Sequence, residues 1–176
     1  MIYRFRIILD HHGESDIFRD IELRKTDTFE DFHNAIVQAF GFDGTEMASF
    51  YVSDDLWEQG EEISLFDLGE GESASRNMAT TQIQDVVDGN QNKLIYIYDF
   101  LNMWTFLVEL SEILKETDGS DYPKLLFAHG QMPESAPEKE FETEGSLGLN
   151  GFEEEEDEDG YDEEDYDSYD SSNDWY

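Results

Sequence analysis

Several features that many proteins depend on are missing or scarce in this chain of 176 residues. Cysteine is absent, which excludes disulfides, thiolate metal ligands and thiol nucleophiles, and fits a reducing cytoplasm. The sequence also has no apolar run of about 18 residues, the length that a membrane-spanning helix needs. Its three prolines all lie beyond residue 122. We therefore expect a cytoplasmic protein that does not span a membrane.

Basic residues are equally scarce, with ten Lys and Arg against 45 Asp and Glu and a formal net charge of −35. Residues 1–133 alone contain 26 acidic and nine basic side chains. Nucleic-acid binding normally depends on cations that neutralise phosphates, and anionic membrane surfaces attract cations in the same way. We therefore expect no direct nucleic-acid binding and no membrane partner.

The C-terminal end concentrates the negative charge. Residues 151–176 hold fourteen Asp and Glu, no Lys or Arg, and five Tyr or Trp. Such a segment cannot bury enough apolar surface to offset the entropy lost on folding. The sequence thus predicts a folded domain over residues 1–133 and a disordered acidic, aromatic-containing tail over residues 134–176.

Two roles of this tail stay open from the sequence. It could simply keep the protein soluble, or it could attract a basic partner and contact it through its aromatic side chains. Docking onto the chain's own basic residues is a third possibility, because half of them lie in the first 25 residues. Five acidic residues in the same stretch offset that charge, so we expect a mostly undocked tail.

The first 41 residues predict a β-hairpin followed by a helix. Apolar side chains recur at every second position over residues 3–9 and 17–23, which is typical of strands. Asp27 or Thr28 can then serve as the N-cap of a helix with apolar side chains on one face. Gly41 is expected to end this helix.

The middle of the chain predicts further strands. Residues 47–52 and 61–66 are short apolar runs, whereas residues 80–87 have helical spacing for about two turns. The strongest strand patterns lie over residues 93–100 and 104–110, where apolar and aromatic side chains occur on both faces. Strands of that kind are usually central in a sheet.

The second of these strands could extend through residues 113–115, whereas Asp, Gly, Ser and Pro residues from Thr117 onward predict a loop-rich exit. The order of elements indicates an α+β fold with one principal helix on a mostly antiparallel sheet. A β-grasp-like core with an added hairpin fits that order.

Several stretches resemble the plasmid pRiA4b ORF-3-like family, some members of which are labelled as passenger or TnpR-like proteins of an insertion element. The resemblance rests on residues 3–7, 17–21, 28–36 with 40–42, and 96–100 followed by Trp104 and Glu109. The family's Gly-Asp and His near this last stretch are replaced by Leu101, Asn102 and Phe106. The resemblance implies an α+β fold and brings no established activity with it.

The candidates for catalysis or metal binding are Asp99, Glu109 and His33. Two carboxylates in a cleft could take acid and base roles, whereas an Asp at a hairpin end more often accepts backbone hydrogen bonds. His33 could bind a metal ion, but a histidine in the core or at a helix cap is more common. Our candidate site therefore consists of His33, Asp99, Trp104, Glu109 and Arg19.

Metal and cofactor motifs are incomplete. His11 and His12 lie in a turn without further ligands at a suitable spacing. Residues 155–166 imitate a calcium loop but end in Tyr166 instead of the bidentate Glu. Gly69 and Gly71 are not followed by the Lys of a phosphate loop. We therefore expect no metal site and no cofactor.

We hypothesise a non-enzymatic interaction module that binds a protein partner, and a basic protein attracted by the tail is one candidate. One alternative is an enzyme with a cleft formed by Asp99, Glu109 and His33. Another is a mobile-element-associated protein that acts near DNA.

Overall fold

The computed structural model describes residues 1–66 and 76–138. The predicted acidic tail, the calcium-like segment and the loop with Gly69 and Gly71 lie outside these residues. The described part contains one α-helix, one short 3-10 helix and eight strands. They are β1 (Ile2–Leu9), β2 (Phe18–Arg24), α1 (Phe29–Phe40), β3 (Ala48–Ser53), β4 (Gln59–Ser64), β5 (Arg76–Asn77), the 3-10 helix (Ile83–Asp85), β6 (Lys93–Tyr98), β7 (Trp104–Leu114) and β8 (Lys124–His129).

All eight strands form one sheet in the order β5-β4-β3-β6-β7-β1-β2-β8. Every neighbouring pair is antiparallel except β4 and β5. The α+β class, with one principal helix and a mostly antiparallel sheet, is therefore confirmed. The two strands with the strongest sequence signal, β6 and β7, are central as predicted. β7 lies between β1 and β6 and thereby joins the β1–β2 hairpin to the strands β6, β3, β4 and β5.

Helix α1 begins and ends at residues whose chemistry favours those positions. The Thr28 hydroxyl accepts a hydrogen bond from the Asp31 N–H, and the Asp31 carboxylate accepts one from the Thr28 N–H. This reciprocal capping box identifies Thr28, not Asp27, as the N-cap. Gly41 ends the helix with φ of 78°, a conformation that glycine adopts without steric cost.

The core lies between α1 and one face of the sheet. The rings of Phe5 and Phe50 lie 4.7 and 5.2 Å from that of Phe32. The Tyr96 ring lies 4.8 Å from Phe50 and 5.9 Å from Phe106. All five rings are fully buried. Burying an apolar side chain of this size stabilises the fold by roughly 1.5–3 kcal/mol, so these rings fix α1 over the sheet centre.

Two predicted segments differ in the structure, and a third, the extension of β7, agrees with the prediction. Residues 80–87 form only the short 3-10 helix, because the backbone N–H groups of Ile83 and Gln84 donate to the carbonyl oxygens of Asp27 and Lys25. β7 continues through the predicted extension to Leu114, with a register shift opposite Arg4 and Phe5. The predicted loop-rich exit is wrong in part, since residues 124–129 form β8.

The chain stays in contact with the core beyond Pro133, the predicted end of the domain. Met132 and Ala136 are partly buried against it. None of the helices in residues 1–66 and 76–138 has the length and apolar character required to cross a membrane.

Candidate functional site

Asp99 lies at the end of the β6–β7 hairpin and serves as a turn cap. Its carboxylate accepts hydrogen bonds from the backbone N–H groups of Leu101 and Asn102 and from the Asn102 side-chain amide. The side-chain bond from Asn102 is the largest cause of a pKa below the usual value for this carboxyl. With φ of 60°, Asp99 occupies a left-handed conformation that Asp tolerates better than most residues. The carboxylate is thus engaged within its own turn.

Glu109 lies on the opposite face of the sheet from His33 and α1. It is paired with Arg6 on one neighbouring strand and Lys93 on the other. Because Glu109 lies opposite Lys93, and Asp99 follows Lys93 by six residues just after the end of β6, Glu109 and Asp99 are separated by about 20 Å along the strands. The predicted cleft of Asp99, Glu109 and His33 therefore does not form.

His33 is a core residue. Its Nδ1 shares a 2.8 Å hydrogen bond with the Tyr96 hydroxyl, and both side chains are buried. Burial lowers the pKa of His33 to about 4 and raises the pKa of Tyr96 well above its usual value. At neutral pH the pair is therefore uncharged. Its geometry serves the packing of α1 on β6.

Trp104 contributes to an aromatic cluster near the same end of the sheet as Asp99. Its ring lies 5.3 Å from Phe42, which stacks at 4.4 Å on Tyr98. The Tyr98 hydroxyl donates to the Asp43 carboxylate at 3.0 Å and accepts from the Gly44 N–H at 3.1 Å. These contacts hold the loop after α1 against the sheet, so Trp104 has a packing role.

Arg19 is buried and makes its hydrogen bonds to backbone carbonyl groups. The guanidinium donates to the carbonyl oxygens of Phe18, Ala39, His129 and Gly130 at 2.8–3.2 Å. Burial lowers its pKa, although an arginine remains charged. Arg19 thereby connects the C-terminal end of α1 to the end of β8.

The described residues contain no group of three or more His, Asp or Glu side chains arranged to hold a metal ion. The His11 Nδ1 accepts a hydrogen bond from the Gly13 N–H at 2.8 Å, which stabilises the turn. The calcium-like segment around Tyr166 lies outside the described residues.

Strand β8 is the surface that sequence reasoning missed. Its six residues are all exposed, and Leu125, Leu126 and Phe127 keep 49, 43 and 51% of their surface accessible. β8 ends the sheet order and pairs only with β2 in the described residues. The signal in the sequence is a short apolar run between Pro123 and Gly130. Pro and Gly nearby favoured the loop interpretation instead.

A register shift in β8 sends its apolar side chains to both faces of the sheet. Phe127 lies opposite Asp20 and Leu125 opposite Ile21, so Leu126 is an extra residue between them. Such a bulge lets residues two positions apart face opposite sides. Leu125 therefore faces the side of α1, and Phe127 faces the other side.

On the face away from α1, Phe127 belongs to an aromatic patch with Phe18 and His129. The Phe18 ring lies 5.9 Å from Phe127 and 5.2 Å from His129. The Arg6 guanidinium lies 4.2 Å from the Phe18 ring centre and donates two hydrogen bonds to the Asp20 carboxylate. Because Arg6 is neutralised by Asp20, the patch presents mainly aromatic surface.

On the face of α1, a helix-side cavity of about 380 Å³ lies between α1 and β8. Its volume is in the range of about 300–1,000 Å³ that ligand pockets occupy. Both apolar and polar side chains line it. The lining residues are Ile21, Asp31, Asn34, Ala35, Gln38, Ala39, Pro123, Lys124 and Leu125.

Arg4 on β1 and Arg24 on β2 are already paired with carboxylates. Arg4 forms ion pairs with Glu22 and Glu112, and Arg24 donates to Glu116. In total the described residues contain 25 Asp and Glu but nine Lys and Arg. The domain surface therefore carries a large excess of carboxylates, and the basic N-terminal residues offer little free charge to the chain's own tail.

A comparison with family models matches residues 1–173 to the one described as plasmid pRiA4b ORF-3-like protein. This match extends past residue 133, the predicted end of the folded domain. A solved structure of similar fold is the crystal structure of MM3350, a protein of unknown function from Methanosarcina mazei Go1. Its TM-score is 0.63 at 21% identity, covering 72% of this chain and 68% of that chain. No curated protein matches the chain.

Proposed function

The chain belongs to the plasmid pRiA4b ORF-3-like family, and we propose that it acts as a non-enzymatic interaction module for a basic protein partner. The observation that carries this proposal is the exposed strand β8, with apolar side chains on both faces at the edge of the sheet. Continuous apolar surface of this kind marks protein interaction sites more often than isolated exposed residues do.

The charge of the chain supports a basic partner. A net charge of −35 attracts cationic proteins over long distances and repels anionic ones. Attraction of this kind mainly raises the association rate, whereas the apolar contacts at β8 determine how long a complex persists. The acidic tail adds to the same field, so its proposed role is to increase the capture of the partner.

Catalysis is not favoured by the arrangement of the candidate residues. Asp99 is engaged in its turn, His33 is bonded to Tyr96 in the core, and Glu109 lies on the other face of the sheet. A role near DNA finds equally little support in a domain with so few basic side chains.

Affinity capture from a lysate of the source organism tests the proposal. The full chain is compared with Phe127→Ser, which removes an apolar contact on β8, and with Leu101→Ser as the matched control. Leu101 is 92% exposed and lies in the β6–β7 turn, away from β8. We expect a basic protein that is retained by the full chain and by Leu101→Ser and is lost with Phe127→Ser.

A chain truncated after Pro137 measures the contribution of the tail. We expect slower capture and a weaker dependence on ionic strength than for the full chain, because fewer charges attract the partner. If every retained protein binds the full chain, Phe127→Ser and the truncated chain equally, the proposed function is wrong.

A further inference from the structure

The outer edge of β8 has the main-chain groups that another strand needs. β8 pairs with β2 through one edge, and in residues 1–66 and 76–138 no strand occupies its other edge. N–H and C=O groups at a sheet edge are a template for strand addition. In complexes of that kind, main-chain hydrogen bonds give affinity, and pockets for alternate side chains give specificity.

Both faces beside this edge offer room for the alternating side chains of an added strand. On the side of α1, the helix-side cavity has apolar walls that include Ala35, Ala39 and Leu125. On the other side, Phe127 and His129 of the aromatic patch present ring surfaces. A strand next to β8 would direct successive side chains to these two places in turn.

The charge distribution around β8 indicates which kind of strand fits. Residues 122–133 contain no acidic residue, but Asp121 directly precedes this run and Glu134 directly follows it. Asp31 adds a carboxylate at the cavity. An apolar centre with basic residues at both ends is therefore complementary to β8 and its flanks.

The same charges argue against a second copy of this chain as the occupant. Two copies would bring two net charges of −35 together, and like net charges repel each other. A basic segment meets attraction instead.

We propose that β8 binds an extended, apolar segment with basic ends by strand addition, with one large apolar side chain of that segment in the helix-side cavity. This inference rests on the proposed function and specifies how the partner is held. Backbone pairing sets the direction of the segment, and the cavity and the aromatic patch select its side chains.

A displayed library of random peptides of about 12 residues, long enough to span β8, is the first probe. The full chain is the bait, and Leu126→Lys, which places a positive charge on the edge, is the counter-selection. Leu101→Lys is the matched control. We expect enriched peptides with apolar residues at every second position and Lys or Arg at both ends. If no peptide binds the full chain more tightly than it binds Leu126→Lys, the inference is overturned.

The most enriched peptide is then synthesised with and without methyl groups on alternate backbone nitrogens. We expect methylation on one of the two alternate sets to weaken binding by at least about tenfold, because those N–H groups no longer donate to β8. Hydrogen exchange of the amides of residues 124–129 should slow when the unmodified peptide binds. Ala35→Leu, which fills the cavity, should also weaken binding, with unchanged thermal stability as the control.

The outcomes separate the two proposals. If both methylated peptides bind as tightly as the unmodified one and the β8 amides stay unprotected, strand addition is wrong, even where Phe127→Ser still loses the basic partner. If light scattering shows a dimer that Leu126→Lys dissociates, the occupant is a second copy and the inference is overturned. If neither peptides nor cellular proteins respond to changes in β8, the proposed function fails as well.

Discussion

The Nδ1 of His33 and the hydroxyl oxygen of Tyr96 lie 2.8 Å apart and share a hydrogen bond that joins α1 to β6. The two residues are 63 positions apart in the sequence, and both are buried. A buried polar pair of this kind tolerates few arrangements, because each partner needs the other in place of water. It therefore fixes the position of α1 along the central strands.

Removing the Tyr96 hydroxyl should destabilise the domain. Tyr96→Phe keeps the ring but leaves the His33 nitrogen without its partner, so we expect a loss of about 1–3 kcal/mol in the free energy of unfolding. Urea unfolding measures the change. Tyr122→Phe is the control, because Tyr122 is only partly buried and its ring keeps its contact with Arg24. Equal losses in both variants would contradict a specific role of the pair.

The stability of the fold should depend on pH through His33. Burial lowers its pKa to about 4 in the folded state, against about 6.5 in an unfolded chain. Between these values the unfolded state binds more protons, so stability falls as the pH drops from 6.5 towards 4. The expected loss is on the order of 3 kcal/mol.

Urea unfolding at several pH values between 7 and 4.5 checks this expectation. His33→Gln retains a polar side chain that does not titrate, and it should flatten the dependence in this range. Carboxylates such as Asp99, whose pKa is lowered, contribute only at more acidic pH. An unchanged pH dependence in His33→Gln would show that other groups cause it.

Arg19 should stabilise the fold and keep β8 paired with β2. Arg19→Met keeps a long side chain but removes the hydrogen bonds to Ala39, His129 and Gly130, so we expect a loss of about 2–3 kcal/mol. Hydrogen exchange should increase in the amides of residues 124–129 more than in those of β6.

The matched control for Arg19 is Arg24→Met. Arg24 forms an exposed ion pair with Glu116, and pairs of that kind contribute little to stability because water and salt screen them. We expect a small loss of stability and no selective change at β8. If both variants accelerate exchange in β8 equally, Arg19 does not connect this strand to α1 in the way described.

Asp99 should act through the conformation of its turn. Asp99→Ala removes the acceptor of the Leu101 and Asn102 hydrogen bonds and places alanine at φ of 60°. We expect a loss of about 1–2 kcal/mol. Asn tolerates this conformation and retains an oxygen acceptor, so Asp99→Asn should lose less than half as much. Equal losses would exclude a capping role.

Local signals allowed much of this fold to be predicted. The helix from Phe29 to Phe40 follows from a cap at Thr28, a glycine at residue 41 and a clear apolar spacing, all of which lie within a few residues. The central hairpin follows from continuous apolar strands. In these segments, neighbouring residues favour the same structure that the final fold requires.

The remaining features depend on contacts between distant residues. Strand β8 is exposed on all six residues and depends on pairing with β2, so its apolar run near Pro and Gly gave an ambiguous signal. The carbonyl partners of Arg19 become neighbours only in the folded chain. For Glu109, in contrast, alternation along β7 already places it on the opposite face from Trp104.

The position of β1 between β2 and β7 has a consequence for synthesis of the chain. Phe5 pairs with Leu110, a separation of 105 residues. At about 5–20 residues per second, roughly 5–20 s pass between translation of the two strands. During that time both outer edges of the β1–β2 hairpin are unpaired, because β8, the partner of β2, is translated later still. The charged pairs of the hairpin, Asp20 opposite Arg6 and Glu22 opposite Arg4, disfavour early aggregation through these edges.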